Sequence, residues 1–421
     1  MKRLKILACA YTCSPTGQGE LFGGGEDILG WNIVEQLSRF HDVTVLAHTR
    51  NQSSIEAFFA NESRSNVTFH YTRLPKWFDI FQRVQGGIQS YSFIWQIWAY
   101  FVAVRLNKKC RFEAFHHITY ANDWMASYIG ALLRVPYIRG PGGGAHRTPN
   151  KFLHQYDFKG RMWERVRVIG QWLFKHDPFF LIGQSTAKAL LVCNHEAFNS
   201  LPQRWKSKSH MFPVCGVSAS DLSHSYRVAN SDNTFRVLTS GKLLQLKGFA
   251  MAISAFAAFA SRYPNTEFKI IGDGPEENRL KRLAESLEVS HIIKFESWMP
   301  RPKLLGEMAV ADVFLFPSLR DGGGAVVIEA MAMGTPIVCL DISGPGMHVT
   351  DETGIKITAS DPERSICDMA IALERLYLNT ELKIRLGKAA KERVVDLYHW
   401  DRIGERLNDL YREIFSPEEL G

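Results

Sequence analysis

Between Arg320 and Val338 the chain reads RDGGGAVVIEAMAMGTPIV. One acid, Asp321, precedes three consecutive glycines, and a second, Glu329, follows eight positions on in a helix-like stretch. Glycines let a backbone come close to a ligand, and N–H groups at a helix N-terminus point at anions. The segment therefore predicts a phosphate cradle with a carboxylate at each end. Carboxylates repel phosphate but accept hydrogen bonds from hydroxyl groups. A ligand with phosphate at its centre and hydroxyls on both sides, a nucleotide sugar, fits that layout. The plainer alternative is a strand–turn–helix with packing glycines and a solvated Glu.

Three more places carry candidate chemistry. In GKLLQLKGF (Gly241 to Phe249), Lys242 and Lys247 sit five apart in a strand-to-helix turn. Two ammonium groups there would neutralise a diphosphate and stabilise charge on a departing group. In FGGGEDILGW (Phe22 to Trp31), Gly23, Gly24 and Gly25 predict a second nest of backbone amides at a helix start. The segment lacks GxGxxG spacing, and no acid ends the second strand, which disfavours a dinucleotide. In EAFHHITYAND, His116 and His117 end a strand, the edge at which open α/β sheets bind ligands. Strand alternation sends the two imidazoles to opposite faces, so only one can face a cleft.

An acid, seven residues, then Glu-Ala-Met-Ala-x-Gly-x-Pro resembles the donor-site motif of retaining glycosyltransferases of the GT-B fold, family 4 (glycosyl transferases group 1). Glu329, Gly334 and Pro336 match it directly. Asp321 stands where that family usually has Glu, one methylene shorter, which displaces its sugar contact or changes the sugar preferred. Lys242 stands where the family usually shows Arg, losing a bidentate contact. The resemblance covers most of the chain and is strongest from about Val237 to Val338. It implies that Glu329 binds the ribose hydroxyls, Asp321 the sugar hydroxyls, and Gly323, Gly324 and Ala325 the diphosphate. It also implies that Gly24 and Gly25 meet the donor phosphate and that a His, here His117, lies beside the transferred sugar. GPGGGAHR (Gly140 to Arg147) is assigned to the acceptor side, and IGDGPEENRL to scaffold.

The elements that must hold these residues alternate along the chain. LKILACAY, DVTVLAHT, EAFHHITY and VPYIRGP predict strands in the first half, with ILGWNIVEQLSRF and WMASYIGALLR as helices. After Met211 the alternation restarts with FRVLTSG, EFKIIGDG, HIIKFES, VFLFPS and TPIVCLD as strands. Such alternation predicts an α/β chain of two Rossmann-like domains with parallel sheets, facing a cleft. The expected boundaries are residues 1–212 for an acceptor-side domain and 213–399 for a nucleotide-sugar domain. A final helix, 400–421, is expected to cross back to the first domain.

Composition bounds the rest. The 421 residues allow two cores. No run of 18 apolar residues occurs, and MKRLKILACAY reads as a buried first strand rather than a secretory signal. Seven scattered cysteines without metal-ligand spacing predict reduced thiols and no zinc. No Asp-x-Asp occurs either, so the reading is metal-independent and without cofactor, with a UDP- or GDP-type sugar as donor substrate. Residues 1–220 hold 26 Lys/Arg against 14 Asp/Glu, and residues 221–421 hold 24 against 29. The basic half suggests an anionic partner, and no nucleic-acid motif is present.

The stretch Lys76 to Lys109 is rich in aromatics with basic ends. It is an interior or interdomain helix with an aromatic face, an aromatic acceptor wall, or a surface resting on a membrane interface. The sequence thus points to a cytoplasmic hexosyltransferase, peripheral on an anionic inner membrane face, acting on a cell-envelope or lipid-linked glycan acceptor. The alternative is a non-catalytic sugar-nucleotide-binding or lipid-surface protein; an epimerase or a phosphorylase-type enzyme is a rival on the same fold.

Overall fold

A computed structural model describes residues 2–15, 25–60, 62, 64–83, 87–223 and 234–415. The chain divides into two compact units, Met1–Ala145 with Arg167–Cys215 and Trp400–Gly421, and His146–Val166 with Gly216–His399.

The first unit is built on β1 (Lys5–Cys9), β2 (Asp42–His48), β3 (Val67–Thr72), β4 (Ala114–His117), β5 (Tyr137–Gly142), β6 (Ala189–Val192) and β7 (Ser209–Met211). These form one parallel sheet in the order β3-β2-β1-β4-β5-β6-β7. Parallel strands need both faces covered, which explains the continuous apolar runs of β1 and β6. Alternation sends Ile6 and Ala8 into one core layer and Leu7 and Cys9 into the other. On the first face, Leu29, Ile33 and Leu37 of the helix Gly25–Phe40 meet Ile403, Leu407 and Tyr411 of the last helix, Trp400–Phe415. On the other face, the helix Gly87–Cys110 inserts Tyr91, Trp95, Ala99 and Ala103, a stripe spaced by four. Its outer side exposes Ile97, Trp98 and Phe101. The aromatic stretch is therefore a core wall on one side and open surface on the other.

The second unit holds β8 (Phe235–Ser240), β9 (Thr266–Ile271), β10 (Ile293–Glu296), β11 (Val313–Phe316), β12 (Ile337–Leu340) and β13 (Gly354–Ile357). The sheet is parallel in the order β10-β9-β8-β11-β12-β13. The helix Phe249–Ala260 is apolar nearly all round and contributes Phe249, Ile253, Phe256 and Phe259 to this core.

Two corrections to the expected division follow. The first unit runs on past residue 212 to Cys215, and His146–Val166 belongs with the second unit. Phe152 and Tyr156 give the reason. Both are buried in the second core beside Leu243 and Phe249, and full burial of one such side chain contributes about 1.5–3 kcal/mol. The helix expected over WMASYIGALLR shrinks to Tyr128–Leu132, because Ser127 caps it by accepting the Gly130 N–H at 3.3 Å.

Candidate functional site

The second unit gathers most of the predicted donor-site residues around the C-terminal ends of β8 and β11. After β11 the chain turns through Asp321 and the glycines into the helix Ala325–Ala332. Gly324 takes φ +57°, a left-handed conformation suited to glycine, and a Cβ there would sit 3.1 Å from the His348 ring. Asp321 closes the turn, with its Oδ1 accepting the Gly324 N–H at 2.8 Å. Its Oδ2 takes the Lys247 ammonium at 2.5 Å. Burial alone would raise this carboxyl. The Lys247 charge and hydrogen bond, the Gly324 amide and nearby His146 outweigh burial and hold Asp321 below the usual carboxylate range.

Lys247 ends the short turn Gln245–Lys247, and Gly248 follows at φ +69° before the helix Phe249–Ala260. Its ammonium also lies 5.4 Å from the centre of the Phe316 ring, at the end of β11. Lys242, in the same loop, is exposed. The helix Ala325–Ala332 makes its first bonds from Val327 and Ile328 to the Gly324 carbonyl. The Ala325 and Val326 amides thus belong to the set at a helix start that has no intrahelical acceptor.

Glu329 lies partly buried one turn into this helix, and that burial raises its carboxyl against the counter-pull of Arg301. Arg301 donates from Nε to Glu329 Oε1 at 2.6 Å, and its Nη1 bonds Asp221. One guanidinium therefore holds two carboxylates, Asp221 buried and Glu329 partly so. Neither Arg301 nor Asp221 was picked out from the sequence, because their partners lie 28 and 80 positions apart and no local spacing marks them.

A third residue the sequence did not reveal is His348. Burial pushes its imidazole down to about 4, so it is neutral. A neutral imidazole has one N–H. With a carbonyl as its neighbour, Nε2–H donates to Gly323 O at 2.7 Å, which leaves Nδ1 to accept the Tyr398 hydroxyl at 2.9 Å. The Gly344 N–H also donates to the Asp321 carbonyl at 2.9 Å. The glycine turn is thus braced from beneath by the segment Ser343–His348.

In the first unit, Gly25 opens the helix Gly25–Phe40 with open space where a Cβ would stand. Gly23 and Gly24 lie outside the described residues. The two histidines of β4 divide as their alternation requires. His116 bonds Gly140 O at 2.6 Å and the Tyr411 hydroxyl at 3.0 Å, so both ring nitrogens are engaged structurally. His117 is buried with its Nδ1 unmatched. Burial, then the charge of Arg139, pushes its imidazole down to about 3. Among the described residues no group of three or more His, Cys, Asp and Glu is placed to hold a metal ion.

The sequence pattern of the family described as glycosyl transferases group 1 matches residues 225–393. D-inositol 3-phosphate glycosyltransferase of Corynebacterium jeikeium (strain K411) is 31% identical over 426 residues, covering 98% of this chain and 97% of that protein. Among solved structures, sucrose-phosphate synthase from Thermosynechococcus elongatus aligns with a TM-score of 0.66 at 19% identity, over 99% of this chain and 100% of that one. HepE of Anabaena in complex with UDP-glucose aligns at 0.62 and 14% identity, over 98% and 100%.

Proposed function

Since the chain belongs to the glycosyl transferases group 1 family and has the GT-B fold, we propose that it is a retaining family 4 enzyme. It moves a hexosyl group from a UDP- or GDP-type sugar to an acceptor hydroxyl, without a metal. The observation that carries this reading is the closure of Asp321 onto both Lys247 and Gly324. That closure sets an ammonium and helix-start amides side by side, a ready diphosphate site.

In this mechanism the bond from the sugar's anomeric carbon to the donor phosphate breaks as the acceptor oxygen bonds the same face. The departing phosphate oxygen takes the acceptor's proton. Lys247, Lys242 and the amides of Gly323 and Ala325 hold the charge that develops on the diphosphate, while the Gly324 amide keeps Asp321 in place. Asp321 accepts from the sugar hydroxyls and Glu329 from the ribose hydroxyls. With Lys247 already against it, Asp321 stays ionised and serves as an acceptor only. His117, neutral, supplies a hydrogen bond rather than a charge.

The C. jeikeium relative is named for a phosphorylated polyol acceptor. For this chain we assign a glycan or lipid-linked acceptor of the cell envelope to the first unit. A lipid-linked acceptor would bring the protein to a membrane from its cytoplasmic side and peripherally, since no helix among the described residues is long and apolar enough to cross one.

Incubation with a panel of nucleoside diphosphate sugars tests the reading. Slow release of nucleoside diphosphate from at least one is expected. Binding without any release, across the panel, would favour a non-catalytic sugar-nucleotide-binding protein instead.

A further inference from the structure

The helix Phe158–Lys175 is polarised the wrong way round for a surface helix. Glu164 and Gln171, seven apart on one face, are buried. Glu164 pairs with Arg320, and Gln171 donates to the Gly144 carbonyl at 2.6 Å. The opposite face carries Phe158, Met162, Val166, Ile169 and Leu173 at spacings of four, four, three and four, all exposed to solvent. In the half that belongs to the first unit, Ile169, Trp172 and Leu173 are 59, 60 and 58% exposed. A helix that satisfies its polar groups inward and leaves a large apolar stripe outside presents a binding surface.

Two neighbouring helices of the first unit continue the pattern. Phe174 packs edge-on against Phe93 of Gly87–Cys110 at 5.4 Å, and Phe93 meets Tyr128, which touches Phe179 of the helix Pro178–Thr186. Around this aromatic cluster, Phe179 and Ile182 are exposed, as are Trp98 and Phe101. Along Gly87–Cys110 one outer face runs from Ile97 and Phe101 to Arg105 and Lys108, passing from apolar to basic within three turns. Neither that helix nor Pro178–Thr186 contains a carboxylate, and the only one in Phe158–Lys175 is the buried Glu164. Exposed tryptophans beside the exposed Arg105 and Lys108 fit the layer where acyl chains meet anionic headgroups.

We propose that this face of the first unit, centred on Ile169, Trp172 and Leu173, docks on an anionic lipid bilayer. The apolar side chains enter the headgroup boundary while Arg105 and Lys108 meet lipid phosphates. Docking is separate from the transfer chemistry, since none of these residues belongs to the donor site.

Flotation of the full chain, without nucleotide, on vesicles of phosphatidylcholine mixed with phosphatidylglycerol tests it. The protein is expected to rise with the mixed vesicles, with blue-shifted tryptophan emission, and to stay down with phosphatidylcholine alone. Ile169→Glu with Trp172→Glu should abolish flotation while thermal melting stays unchanged. Arg105→Gln should weaken binding roughly fivefold, because a basic side chain near an anionic surface contributes about 1 kcal/mol. A chain that stays down with both vesicle types would overturn the proposal. So would a concentration-dependent dimer, lost in the double Glu variant, in place of flotation, since a second copy would then cover the stripe. If the double variant floats as well as the parent, the docking face lies elsewhere.

Discussion

Lys247 and Asp321 are 74 positions apart in sequence and meet at 2.5 Å, the ammonium of one loop against the carboxylate of another. Through the second oxygen of Asp321 this contact also fixes the Gly324 amide. The cation and the amide nest thus share one carboxylate as their common support.

Replacing Lys247 with Ala is therefore expected to remove a charged contact to the leaving diphosphate and to release Asp321. Loss of one such transition-state contact commonly costs about 2.7–4 kcal/mol, roughly 10²–10³ in turnover. Single-turnover rates with saturating donor check this. A rate within a few fold of the parent would take Lys247 out of the mechanism.

Glu329→Gln keeps the side chain's size but removes its charge. A hydrogen bond to a charged group contributes about 1.5–3 kcal/mol, so nucleoside diphosphate affinity should fall roughly ten- to a hundredfold. Titration calorimetry reads this directly. Unchanged affinity would mean that the ribose lies elsewhere.

Arg301→Ala leaves Glu329 and Asp221 facing each other as carboxylates, Asp221 buried and Glu329 partly so. Breaking a buried pair from one side costs about 3–5 kcal/mol, and a third of the Arg301 side chain is exposed, which places the loss nearer ~2–3. A melting temperature lower by several degrees is expected, with recovery in the double variant Arg301→Ala, Glu329→Gln. If the single variant melts like the parent, the guanidinium does not hold these acids together.

Stability should also fall in mild acid. His48, His116, His117 and His348 are buried as neutral imidazoles, with burial pushing them from 6.5 to about 3, 4, 3 and 4. Between these values and 6.5 the unfolded chain binds more protons than the folded one. Their contribution is thus complete above pH 6.5 and is lost as pH falls through the folded values. Each histidine adds up to ~1.4 kcal/mol per pH unit to that slope. Urea unfolding at pH 7, 6 and 5 measures it, and a flat profile would contradict burial of these rings in the neutral form.

The sheets were legible because their inner strands are short apolar runs between helices. What escaped were the edges β3, VTFHYT, β7, a polar SHM, and β13, GIKI, which carry too little pattern to stand out, and the inner strand β6, ALLV, only four residues long. The helix Phe158–Lys175 escaped for the opposite reason, since its apolar stripe faces solvent and its first half sits with the second unit. At the site, the glycine turn and its two acids could be read because they are local in sequence. Arg301, Asp221 and His348 could not, since only folding brings them to Glu329 and Gly323. The pairing of Lys247 with Asp321 was hidden in the same way, although both residues had been singled out.

A structure of the chain with UDP or GDP bound, prepared in excess chelator, tests the central claim most directly. The diphosphate is expected within hydrogen-bond distance of the Ala325 amide and the Lys247 ammonium, with the ribose hydroxyls on Glu329 and no metal between them. A nucleotide seated away from the Gly323–Ala325 turn, or one that binds only when a divalent ion is restored, would contradict it.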